Sequence, residues 1–332
     1  MSTAPFHRLP VLQIRPSALL VYERVEWDSS YSRKQKGHQL SNLKAAPTYQ
    51  GLISPGSSAR LKRAIQLLLA IAKPKKVLNP STKKFYSFKV NFVTLTLPAP
   101  QGVLTDKQIK EAILDPWIKS AKRIFGLKNY IWRAEKQMNG NIHFHLATDC
   151  YIWHRDLRDS WNKRLELCGF ISAFEKKHGH RDPNSTDVHA VKYIRNFAAY
   201  LTKYVTKGKP IPGQTWSTQL RKSGYGPISL KEFTENEKIA MPLEAQKING
   251  KIWDCSMNLK HKGNCEFLLE NEAFALWNWS IENKPQQTRH SDMCSIIYFE
   301  PDELMTLLKG PLKAGYLDWL KVIENIPDQK TA

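Results

Sequence analysis

Carboxylates are missing from a long part of this chain. Between Ser29 and Thr105 there is no aspartate or glutamate, while thirteen lysines and arginines fall in the same 77 residues. A solvated surface usually mixes both signs, so a one-signed run of this length points to a polyanionic partner. Long apolar runs are also lacking. The longest apolar patch, Ile65 to Ala72, is too short to cross a bilayer. The first residues, MSTAPFHRLP, hold no signal-peptide apolar core. A soluble, cytoplasmic protein without a membrane partner is expected. No G-x-x-x-x-G-K-[ST] segment occurs, which argues against an ATP-driven motor. The five cysteines (Cys150, Cys168, Cys255, Cys265, Cys294) are odd in number and lack zinc-finger spacing. They read as free thiols in a reducing compartment.

What is present is basic and aromatic. The 332 residues carry a formal net charge of +20, and 11% are Phe, Trp or Tyr. Nucleic acid is the partner this balance favours, with flat rings available for unpaired bases. The charge is uneven, since Glu266 to Ala332 holds eleven acids against six bases.

Along the chain, residues 1–58 are poorly periodic and proline-rich, and are expected to form a basic N-terminal arm. Ser57 and Ser58 look like a helix start, with Leu61, Ala64, Ile65, Leu68, Leu69 and Ala72 at helical spacing and Pro74 as the stop. Arg60, Lys62 and Arg63 then lie on its wet face. Together with Lys83, Lys84 and Lys89 they are the candidate phosphate contacts. Lys84 to Pro98 reads as one long strand. Thr105-Asp106 can cap a helix that Pro116 bends or splits before Phe125-Gly126. A helix is expected over His154 to Leu167, a loop over Phe170 to Pro183 with solvated His178 and His180, and a short strand over Thr186 to Tyr193.

Tyr130 to Asp149, YIWRAEKQMNGNIHFHLATD, carries the chemistry. Asn139-Gly140 is a strong hairpin-turn pair. Side chains alternate along a strand, so His143 and His145 share one face while Ile142, Phe144 and Leu146 take the other. Glu135 and Gln137 also share a face, which the hairpin brings beside the imidazoles. Two neutral nitrogens and a carboxylate can form an open site for a divalent metal. A later stretch, RNFAAYLTKYVTK, puts Tyr200, Lys203, Tyr204 and Lys207 on one helical face. A metal would polarise a phosphodiester, a tyrosine would attack it, and the lysines would balance charge.

Three motifs resemble those of the HUH endonucleases, and within them the two-tyrosine rolling-circle replication initiators of plasmids and small single-stranded DNA phages. FVTLTLP (Phe92 to Pro98) is similar to the first motif, HFHLATD (His143 to Asp149) to the histidine-hydrophobe-histidine metal motif, and YLTKYVTK (Tyr200 to Lys207) to Y-x-x-K-Y-x-x-K. The resemblance covers about Leu61 to Lys207. It implies an α+β fold with a central antiparallel sheet flanked by helices, over 59–210, followed by a mixed, mostly helical accessory region over 211–332. It implies that His143 and His145 bind Mg²⁺ or Mn²⁺ with Glu135 or Gln137 as third ligand, a carboxylate suiting a hard cation better. Tyr200 and Tyr204 are then the candidate nucleophiles. The implied substrates are single-stranded DNA and origin hairpin DNA, cut to leave the protein on the 5′ end. A helicase domain is lacking, so a host helicase and polymerase, in a bacterial cytoplasm, are the implied partners. Related readings are an HUH transposase or relaxase. A non-catalytic single-strand-binding or packaging protein, or a zinc-stabilised structural domain, would come from other classes.

Overall fold

The computed structural model describes residues 6–27, 51–78, 82–137, 139–191, 247–299 and 301–327. They divide into two compact units, one drawn from 1–49 and 261–327 and the other from 50–260.

The first unit begins with a hairpin of β1 (Phe6–Arg15) and β2 (Ala18–Trp27). This corrects the expectation of a loop-like arm, at least over these residues. The prolines misled for a physical reason. Pro16 sits in the turn, and the carbonyl of Pro10 accepts from the Leu269 N–H on the side where strand pairing begins only at Val11. Its missing N–H therefore interrupts no rung.

The second unit opens with α1 (Pro55–Ile71), capped by Ser54, whose hydroxyl accepts from the Ser57 N–H. A separate two-stranded ribbon follows, β3 (Lys75–Leu78) with β4 (Phe85–Phe88). The expected long strand thus breaks at Lys89 into β4 and β5 (Val90–Leu95). Next come α2 (Asp106–Ile109), with Thr105 and Gln108 forming a reciprocal capping box, and a π-type turn over Lys110–Leu114. Then α3 (Asp115–Phe125) has Pro116 in its first turn and left-handed Gly126 at its end. The hairpin of β6 (Tyr130–Lys136) and β7 (Ile142–Thr148) precedes α4 (His154–Leu167). The expected loop after it is instead helix α5 (Phe170–His178), framed by left-handed Gly169 and Gly179. Those glycines cap a helix that anchors itself through buried Phe170 and Ile171. Strands β8 (Thr186–Val191) and β9 (Trp253–Cys255) complete an antiparallel sheet in the order β8-β5-β7-β6-β9. The sheet therefore runs past the boundary expected at residue 210.

The remaining residues complete the first unit with β10 (Cys265–Leu268), α6 (Asn271–Asn283), β11 (Thr288–His290), β12 (Cys294–Tyr298), α7 (Pro301–Leu307) and α8 (Gly310–Glu324). Its sheet order is β10-β1-β2-β12-β11. Leu12, Ile14 and Leu19 pack there against Trp277, Leu304 and Tyr316. The C-terminal region is helical, as expected, with short strands that join the N-terminal hairpin.

In the second unit one sheet face is dry. Leu95, Trp132, Phe144 and Leu146 pack on Ile113 and Trp117 of the π turn and α3, and on Leu157 and Trp161 of α4. Phe144 meets Trp161 edge-on, and the Trp161 indole N–H donates to the Thr96 carbonyl at 3.0 Å. Burying a ring such as Phe144 contributes on the order of 2–3 kcal/mol. Because Phe144 lies between the two histidines, that contact also holds them on the opposite face.

The turn end of the β6–β7 hairpin is clamped by polar groups. Asp106 accepts from Lys136 Nζ at 2.6 Å, from Gln101 Nε2 at 2.9 Å and from the Asn249 N–H at 3.0 Å. Burial would raise its pKa, but Lys136, Gln101 and Asn249 outweigh that and hold the carboxyl below its ordinary value. A depressed carboxyl adds stability above its unfolded pKa and loses it as pH falls through the folded one. Asp106→Asn, which strands the half-buried Lys136, is expected to cost about 3 kcal/mol. It should also flatten the acid limb of stability; urea unfolding at several pH values below 5 checks both.

Candidate metal centre

The hairpin turn sets the register from which the site follows. The Gln137 N–H donates to the Asn141 carbonyl at 2.9 Å, and the Gly140 N–H to the Gln137 carbonyl at 2.9 Å. Gly140 supplies the left-handed φ of +81° that the turn requires. Glu135 then faces His143, and Arg133 faces His145. On the other side of β7, Thr94 of β5 faces His145.

Glu135 Oε2 lies 3.1 Å from His145 Nε2 and 3.5 Å from His143 Nε2. One ligand atom from each of the three residues lies within 4.8 Å of the other two. The side chains are 14%, 8% and 15% exposed for Glu135, His145 and His143, so the cluster is shielded yet reachable. Two imidazole nitrogens and one carboxylate make a ligand set of formal charge −1 that can hold a divalent metal, leaving further coordination positions open. The arrangement of donors fits such an ion: both Nε2 atoms converge on one carboxylate oxygen, the spot that a shared cation would neutralise.

The surroundings orient the donors. Thr94 Oγ1 is 3.3 Å from His145 Nδ1. If His145 offers the Nε2 lone pair, its Nδ1 carries the proton and Thr94 accepts it. Phe92 stacks on the His145 ring at 5.2 Å between centroids. Thr94→Val is expected to weaken metal binding by about 10–100-fold, the usual effect of losing an outer-shell partner. Thr94→Ser should restore it. Calorimetric titration with Mn²⁺ makes the measurement.

The other expected site residues distribute as follows. Gln137 lies beyond the end of β6 with Oε1 buried and without a hydrogen-bond partner among the described residues. Arg60 and Lys62 are exposed on α1, and Arg63 is half-buried there. Lys83 and Lys84 are exposed before β4, and Lys89 is half-buried between β4 and β5. These cations therefore belong to two separate elements. His178 and His180 are exposed around Phe174. Tyr200, Lys203, Tyr204 and Lys207 lie outside the described residues. Sequence reasoning missed Thr94 and Arg133 as neighbours of His145. The parity of β6 could have suggested Arg133, two residues before Glu135. Thr94 required the β5–β7 pairing, which no local pattern gives.

A family model described as a replication-associated protein of the ORF2 type matches residues 90–209. The matched span includes β5, the β6–β7 hairpin with its three metal-site residues, and the stretch Tyr200 to Lys207. It supports a role in DNA replication. No curated protein and no solved structure matches the chain. Among the described residues, no helix is long and apolar enough to cross a membrane.

Proposed function

We propose that the protein initiates rolling-circle DNA replication by nicking single-stranded DNA at an origin through a tyrosine nucleophile, and later rejoins the strands. The observation that carries this reading is the convergence of Glu135, His143 and His145 on one sheet face, inside a span that matches a replication-associated family. The bound Mg²⁺ or Mn²⁺ would supply charge neutralisation at the scissile phosphate.

The protein's own groups do the rest. His143, His145 and Glu135 hold the cation, and Gln137 is a candidate further ligand. Tyr200 or Tyr204 loses its hydroxyl proton and attacks phosphorus. A tyrosine O–P bond forms, the P–O3′ bond breaks, and the departing 3′ oxygen takes up a proton. Lys203 and Lys207 favour the phenolate and the charge that builds on phosphate. Arg133, on the same ribbon face as the trio, is a further candidate for a phosphate oxygen. The phosphodiester energy stays in the protein–DNA bond, so resealing by a 3′ hydroxyl needs no ATP.

The deciding experiment incubates the full chain with Mn²⁺ and labelled single-stranded DNA from around its own gene. A labelled, protease-sensitive protein band that disappears with chelator is expected. Binding without any covalent band would leave a non-catalytic single-strand-binding protein. Cutting confined to mobile-element ends would point to a transposase.

A further inference from the structure

A second cleft lies on the other side of the same sheet. It has a volume of about 390 Å³ and is lined by Tyr86, Tyr151, Trp153, His154, Arg158 and Asn184, within the usual range of small-ligand sites. Asn91 and Val188 also line it. Val188 pairs with Val93, whose side chain belongs to the dry helix-covered face, so the cleft does not belong to the metal centre.

Its chemistry is specific. Tyr86 and Phe88, on one face of the β3–β4 ribbon, hold the Tyr151 ring edge-on and tilted at 5.9 and 5.6 Å. Trp153 meets His154 at 4.3 Å. Three aromatic side chains thus stand around a space open to solvent. Arg158 supplies the cation. Its Nε is 3.5 Å from Asp182 Oδ1, but Asp182 is 65% exposed, so that pair is weak and displaceable. The ribbon leading to the cleft contains no acid and carries exposed Lys76, Lys83, Lys84 and Phe85. Flat rings beside a guanidinium, approached along a basic ribbon, suit a base with its phosphate better than a peptide or an uncharged metabolite.

We propose that this cleft holds one unpaired nucleotide of the single-stranded DNA, its base among Tyr86, Tyr151 and Trp153 and its phosphate on Arg158. The proposal rests on the reading of the protein as one that acts on single-stranded DNA, and it adds a second anchoring point remote from the cut.

The test uses the full chain with chelator present, so that binding is read without cleavage. Affinity for a labelled single strand is compared among wild type, Arg158→Ala and Tyr86→Leu, with thermal melts to verify folding. Arg158→Ala alters a partly exposed side chain and keeps the test valid if Tyr86→Leu misfolds. Each folded variant is expected to bind about tenfold more weakly, the lower part of the range for one lost base contact. Covalent-band formation at saturating DNA should be unchanged. Strands carrying 5-iododeoxyuridine should photocrosslink within residues 149–158. Unaltered affinity in folded variants, or crosslinks confined to other peptides, overturns the proposal. So does protection of that crosslink by a free deoxynucleoside monophosphate as effective as protection by the strand. A wild type that forms no covalent band while cleft variants bind weakly would sink the nicking reading and spare the cleft. A normal band with undiminished variant affinity would do the reverse.

Discussion

His145→Ala is expected to abolish the Mn²⁺-dependent covalent DNA band and to lower metal affinity by more than the ~10–100-fold that an outer-shell substitution costs. His145 is central to the cluster because every neighbour acts through it. Its Nε2 is 3.1 Å from Glu135 Oε2, its Nδ1 meets Thr94, and its ring stacks on Phe92. Removing the imidazole leaves a two-donor remnant and a void beside Phe92. Some loss of thermal stability should follow, and it must be separated from loss of the ion. His143→Ala makes that separation, since its side chain is more exposed and its removal disturbs less packing. If both variants melt near the wild-type temperature, bind no Mn²⁺ by calorimetry and form no band, the trio is the metal centre. Full Mn²⁺ affinity in folded His143→Ala and His145→Ala proteins would remove the basis of the proposed chemistry.

Glu135→Gln probes the same site from the other ligand type. In the metal-free protein one carboxylate oxygen lies near two imidazoles, so the substitution should change the apo protein little. With metal, the loss of a charged oxygen ligand weakens a hard divalent ion more than it would weaken a softer one bound mainly by nitrogen. The ratio of Mn²⁺ to Zn²⁺ affinity should therefore fall in this variant.

The centre was legible in the sequence because its determinants are local. Asn139-Gly140 defines the turn, and period-two alternation puts His143, His145 and Glu135 on one face while Phe144 goes to the core. The helix over His154 to Leu167 and the cap at Thr105 were legible for the same reason. The N-terminal hairpin was not, because β1 and β2 complete their sheet with β10 and β12 from the far end of the chain. Local reading saw prolines, whereas the fold places them at a turn and beyond a paired segment. Helix α5 was hidden by flanking glycines that act as caps. Thr94 was recognisable as part of a strand motif, but its contact with His145 depends on the register between β5 and β7. A contact between elements about 50 residues apart leaves no periodic trace in either.

Tyr200→Phe and Tyr204→Phe, singly and together, decide how the chemistry is divided. The double variant is expected to lose the covalent band by at least ~10³-fold, because phenylalanine keeps the ring and removes the attacking oxygen. Metal affinity should stay near wild type, since neither tyrosine is among the proposed ligands. The single variants separate two mechanisms. If one tyrosine alone attacks, its phenylalanine variant loses the first cut and the other keeps both cutting and rejoining. If the tyrosines act in turn, each single variant makes one covalent complex but fails to transfer the strand to a second cut end. Helical spacing makes alternation feasible, because residues four apart share a face and one turn separates their hydroxyls. Nicking and strand transfer must therefore be assayed separately, with single-turnover cutting for the first and a two-oligonucleotide exchange for the second. A double variant that still forms the band would mean the nucleophile lies elsewhere, and the tyrosine motif would lose its assigned role while the metal trio kept its own.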